Sequence, residues 1–221
     1  MADPAVPSRD PANDGSLLGM ARQILDKFLQ GVDDMLPAKI GSYDRTSNRA
    51  SVTPSVKVLA TDGSQTSRAA LASIPVMRFG GGGAVLSFNV KAGDSGWIKA
   101  NDRDTSLVLQ GGDEAAPNTL RKHSFQDGAF IPDVLGEVTI DPEDAENATL
   151  QTTDGAVRVS IWSDRLKLTA GALSVTIGPA SIDFEGPVNI PDGATIGGIP
   201  FGTHKHTGVS TGAGTSGGPT A

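Results

Sequence analysis

The stretch DGAVRVSIWSDRLKLTAGALSVTIGPASIDFEGPVNIPDG, residues 154–193, alternates short apolar–polar runs with turn-forming pairs. The pairs are Asp154-Gly155, Ser163-Asp164, Ala170-Gly171, Gly178-Pro179, Glu185-Gly186 and Asp192-Gly193, with Gly197-Gly198 after them. Between them the apolar sets are Val157, Val159, Ile161; Leu166, Leu168; Leu173, Val175, Ile177; Ile182, Phe184; and Val188, Ile190. Successive side chains of a strand point to opposite faces, so a period of two gives each strand one apolar face. The spacing between turns falls from nine residues (154 to 163) to five (192 to 197), so the element narrows along the chain.

Short strands of this kind cannot bury their apolar faces alone, and two-stranded units are marginal in water. No helix pattern follows that would cover them. The expected solution is oligomeric: identical chains wind around one axis and their apolar faces meet inside. Three chains make the smallest closed prism with room for one side chain per strand. Residues 150–200 are therefore expected to form a trimeric, intertwined β-helical or β-prism shaft.

The segment 201–221, FGTHKHTGVSTGAGTSGGPTA, is rich in Gly, Thr and Ser and would alone read as a polar tail. It also holds two of the three histidines of the chain, His204 and His206. On an extended strand these two share a side, and Lys205 faces away. Two imidazoles per chain are too few for a closed site. Three chains around a three-fold axis supply six, which suits octahedral coordination of a first-row transition metal such as iron better than four-coordinate zinc. The metal ligands expected are His204 and His206, in an apex spanning 201–221.

Toward the N-terminus, residues 1–15 are rich in Pro, Asp and Asn and read as a flexible arm within a 1–37 segment. Ser16 is a helix N-cap, and Leu18, Ala21, Leu25, Phe28, Val32 and Met35 fall at helical spacings of three and four. That pattern predicts a helix over 16–36, ended by Pro37, packed on its own domain or on a neighbouring chain. Residues 38–112 carry five short strands, among them KIGSYDRTSNRASVTPSVKV (39–58), the runs flanking Gly80 to Gly83, and a closing SLVLQGG (106–112). Five strands in this length suit a small barrel of the oligonucleotide/oligosaccharide-binding (OB) type. Residues 113–149 read as a connector. The predicted fold is mostly β: a helix and barrel, then the shaft and its metal-bound apex.

Composition narrows the function. In 221 residues, 28 are Gly and 14 are Pro, the formal net charge is −7, and there is no cysteine. A net negative chain repels phosphate backbones and anionic membrane surfaces, so a nucleic-acid partner and electrostatic membrane docking are disfavoured. Disulfides and thiolate metal sites are excluded. The N-terminus has no basic stretch followed by an apolar one, so a soluble protein without a standard export signal is expected. Gly80 to Gly83 lack the Gly-Lys-Ser/Thr ending of a phosphate loop and read as a turn. Asp141, Glu143, Asp144 and Glu146 lack the spacing of a calcium loop and read as a solvated turn. His123, Ser124 and Asp127 are adjacent in sequence, which is not how a catalytic triad is built.

IGGIPFGTHKHTGVSTGAGTSGGP (196–219) resembles the tip of central spike proteins of contractile-tailed phages and related bacteriocin-like particles. The matching features are Thr203, His204, Lys205 and His206, followed by Gly217-Gly218-Pro219. The stretches IPVMRFGGGGAVLSFNVKAGDSGWI (74–98) and RKHSFQDGAFIPDVLG (121–136) resemble the barrel domain of one branch of these spikes. The resemblance implies a homotrimer with an OB-fold base, a β-helical shaft and an iron ion held by six histidines at the apex, one ion per trimer. It also implies a non-enzymatic baseplate protein of the virion, or of an equivalent contractile particle. Its base would sit on the tail hub and tube, and its tip would pierce the target cell's outer membrane on sheath contraction. Unlike the larger members of that family, this chain is expected to carry no lysozyme-like domain. The alternative is a trimeric tail-fibre or adhesin protein that binds cell-surface glycans, which would need exposed aromatics or a globular head. A metal-dependent enzyme would need an open coordination position, which six imidazoles do not leave.

Overall fold

Ser16 starts the first element as its sequence position suggests: its hydroxyl accepts from the amide of Gly19 at 2.9 Å and caps helix α1, Leu17–Leu29. The computed structural model describes residues 15–60, 63–191, 193–200 and 212. It divides the chain into two units, Met1–Glu137 and Val138–Ala221. Among the described residues no helix is long and apolar enough to cross a membrane.

The helix expected over 16–36 stops at Leu29. Gly31 and Val32 turn their amides to Phe28 and Leu29, both at 3.0 Å, which tightens and closes the last turn. Asp33 is then claimed from elsewhere. Its amide donates to the His123 carbonyl at 2.9 Å, and its carboxylate accepts from Arg68 at 3.0 Å and from the Phe125 amide at 3.3 Å. Met35 and Pro37, expected at the end of the helix, lie in a strand instead.

Five strands build the first unit: β1 (Met35–Asp44), β2 (Arg49–Pro54), β3 (Leu71–Pro75), β4 (Ser95–Asn101) and β5 (Ser124–Pro132). They pair antiparallel in the order β3-β2-β1-β4-β5. The two edges then approach each other: Val76 and Phe130 form a parallel bridge, and the Met77 amide donates to the Phe130 carbonyl at 2.7 Å. The sheet is thus nearly closed into a five-stranded barrel, which fits the OB type. Alternate residues point inward, and Ala38, Ile40, Val52, Ile74, Ile98 and Phe130 are all at most 3% exposed. A side chain at Gly96 would run into the Phe130 ring and the Ile131 carbonyl, so glycine there gives the ring its place.

Two expectations about the barrel are corrected. SLVLQGG does not close it as a strand. Ser106–Gly111 is a short helix, α2, ended by Gly112 at a φ of 79°. The closing strand is β5, which lies inside the stretch expected to be an irregular connector. Its period is disguised because its pairing with β4 shifts between Lys99 and Asn101. Phe125, Gly128 and Phe130 are the buried positions, a spacing of three and then two. Gly82 and Gly83, with φ of 59° and 85°, turn a small hairpin between Phe79–Gly81 and Ala84–Leu86, as the glycine run suggests.

The second unit is a meander. Strands β6 (Ala148–Gln151), β7 (Val157–Ile161), β8 (Leu166–Ala170), β9 (Leu173–Ile177) and β10 (Ile182–Glu185) each pair antiparallel with the next. A final hairpin of two-residue strands joins Thr195–Ile196 to Ile199–Pro200. Val188 and Ile190, expected in a further strand, lie outside the ladder. They alternate with the flanking Pro187 and Pro191, neither of which has an amide to donate.

Candidate functional site

The register of the second unit sorts its side chains into two opposed faces. One row across the sheet reads Leu150, Val159, Leu168, Val175, Phe184; the next reads Gln151, Arg158, Thr169, Ser174, Glu185. Burial then runs opposite to polarity. Ile161 is 59% exposed and Phe184 57%, whereas Ser160 is 0% and Arg158 9% exposed. Among the described residues the apolar face is largely exposed, and the polar face is closed over β7 to β9, while Asp183 and Glu185 of β10 are exposed. A groove of about 360 Å³ is lined by residues of both rows, among them Val159, Leu168 and Phe184 together with Thr169, Ser174 and Glu185.

The polar face is closed by the acidic run that the sequence suggested was a solvated turn. Asp141 caps a single 3-10 turn at Pro142–Asp144, its carboxylate accepting from the Glu143 amide at 2.9 Å. That turn lays three carboxylates around Arg158. The guanidinium reaches Asp144 at 2.7 Å, Asp141 at 3.0 Å and Glu143 at 3.7 Å, and donates to the Gly155 carbonyl at 3.2 Å. Asp144 is 2% exposed, and it also accepts from Ser160 at 2.8 Å and from the Trp162 indole at 3.2 Å. Arg165 stacks over the Trp162 ring at 3.6 Å, and Lys167 pairs with Glu143 at 3.0 Å. Arg158 and Lys167 thus pair with all three of these carboxylates. The spacing in sequence concealed this, because Arg158 is supplied by β7, fourteen residues from Asp144.

The sequence-predicted metal ligands, His204 and His206, lie outside the described residues. Among the described residues, no group of three or more His, Asp or Glu side chains converges to hold a metal ion. The remaining histidine, His123, sits at a φ of 46° and contacts Asp102 at 3.1 Å. Asp127 is held instead by Arg121 through two bonds at 2.9 and 2.7 Å, and the Ser124 hydroxyl accepts from the Gln126 amide at 3.3 Å. The three neighbours in sequence thus each meet a different partner.

One strongly perturbed acid marks the rim of the barrel. Asp104 is 4% exposed and lies two residues before α2, where the Ser106 hydroxyl and amide both donate to it, the amide at 2.9 Å. Thr119 donates at 2.9 Å and the Arg121 guanidinium lies 3.6 Å away. Together these hold its carboxyl down to about 2.

Residues 36–133 match the family model of the phage protein Gp138 N-terminal domain, a range that coincides with the barrel strands β1 to β5. The match supports a phage structural protein. No curated protein matches the chain.

Proposed function

We propose, taking the phage-family barrel as the premise, that three copies of this chain form the spike at the tip of a contractile tail. The protein is read as virion-associated and non-enzymatic. The observation that carries this reading is the inverted sheet of the second unit, whose polar face is closed over β7 to β9 and whose apolar face is exposed among the described residues. Burying that face between three copies would remove on the order of 25 cal/mol per Å² of unfavourable hydration. It would also leave the Arg158 network on the outer, wetted side.

In such a shaft the chains would unfold only by separating together, which favours slow unfolding under load. The base, through the barrel, would sit on the tail hub and tube, and the narrow end would enter the outer membrane on sheath contraction. His204 and His206 would hold the metal at the apex. Their chemistry fits: two neutral imidazoles per chain and six per trimer make a nitrogen-rich set suited to iron or another first-row transition metal. When bound, the ion would tie three chains together at the apex.

Native mass spectrometry of the purified full chain tests this. Three chains plus one iron are expected. His204→Ala with His206→Ala is expected to retain the trimer and lose the ion. A metal-free wild-type trimer would remove the apex site and keep the spike. A monomer would overturn the spike reading.

A further inference from the structure

Helix α1, in the first unit, presents a further apolar surface that is exposed among the described residues. Leu17, Leu18, Met20, Ile24, Leu25, Phe28 and Leu29 are between 53% and 84% exposed, and Gly19 is the helix's one buried residue. At about 100° per residue these side chains, with Ala21 at their centre, cover about half the circumference. Arg22, Gln23, Asp26, Lys27 and Gln30 occupy the other half. Such an arc is wider than the a/d seam of a two-stranded coil.

Size decides what covers it. At roughly 60–120 Å² for each fully buried aliphatic side chain, seven side chains this exposed offer on the order of 300–500 Å² per chain. A standard stable interface takes about 800 Å² from each partner. A separate protein therefore cannot be held by this face alone. A copy of the same chain, already tethered nearby, needs no such area, because tethering supplies an effective concentration in the millimolar range. A helix of 13 residues is also marginal on its own in water, and gains most from neighbours that are always present.

We propose that the α1 helices of three copies pack on one another through this arc, forming a second trimer contact separate from the shaft. The inference rests on the trimer reading above. Its surface is Leu17, Ala21, Ile24, Leu25 and Phe28, and its occupants are the same faces of two further copies.

The chain has no cysteine, so single thiols report directly on this contact. Ala21→Cys lies at the centre of the arc and Asp26→Cys on the opposite side, and both leave the large apolar side chains in place. Each full-length variant is weighed by native mass spectrometry, oxidised, and run under denaturing conditions. Around a three-fold axis, up to about two of every three Ala21→Cys chains should become covalent dimers, leaving one thiol per trimer unpaired. Asp26→Cys should remain monomeric on the denaturing gel. If both variants are trimers and Ala21→Cys cross-links no more than Asp26→Cys, the α1 contact is overturned while the spike reading stands. If the wild-type chain is itself a monomer, both fail.

Discussion

The barrel and the meander use the same alternation and reach opposite results. In the barrel, five strands curl until β3 meets β5 through Val76 and Phe130, and eleven apolar residues close into a core inside one chain. In the meander, strands of four or five residues lie side by side, and among the described residues no second layer covers their apolar face. Among its described residues the buried side chains are those of Asp144, Arg158, Ser160, Thr169 and Ser174. A strand pattern thus specifies a face to be buried, and it does not specify which atoms bury it. The barrel satisfies that demand from its own chain, whereas among the described residues the apolar face of the meander stays exposed.

The comparison breaks most readily at the centre of the exposed face. Leu168→Asp would place one unpaired carboxylate per chain in the proposed trimer interior, at a cost of several kcal/mol each. The expected result is loss of the trimer in native mass spectra with the barrel still folded by circular dichroism. Thr176→Asp, one strand over on the polar face, should keep the trimer. If both variants remain trimeric, that face is not the interface.

Phe130→Ala probes the other side of the comparison. The ring is fully buried against Gly96, so its removal should cost about 3–5 kcal/mol and lower the denaturant midpoint of the barrel. The mass of the trimer should not change. Loss of the trimer at the same denaturant concentration would show that the two units melt as one.

Asp144→Ala should weaken the second unit by about 3 kcal/mol, since Arg158, Ser160 and Trp162 all lose their shared acceptor. Asp141 and Glu143 still face the guanidinium and hold the loss to that size. Thermal melts should show the change in the meander and not in the barrel.

The smallest effect expected is that of Asp104. Its folded-state value, about 2, lies below the ordinary 3.8, so its contribution is present above that ordinary value and is lost as pH falls toward 2. Barrel stability measured from pH 5 down to pH 2 should fall less steeply in Asp104→Asn than in the wild type. Parallel curves would show that Asp104 is not the group responsible.

Much of this architecture was legible in the residues alone. The N-cap at Ser16, the turn at Gly80 to Gly83 and the two-faced strands of residues 154–185 are local, and side-chain period and turn chemistry determine them within a few positions. The apolar stripe of α1 was equally plain. What the sequence overextended was its end: Asp33 leaves the helix because it bonds the amide of Phe125, 92 residues away. The same holds for β5, whose buried positions follow a register shift against β4, and for Asp144, whose acidic run reads as solvated until Arg158 arrives from another strand. Local periodicity fixes which faces a chain presents. Only the tertiary structure decides which of them meet, because that choice rests on contacts between residues far apart in sequence, and no local pattern encodes them.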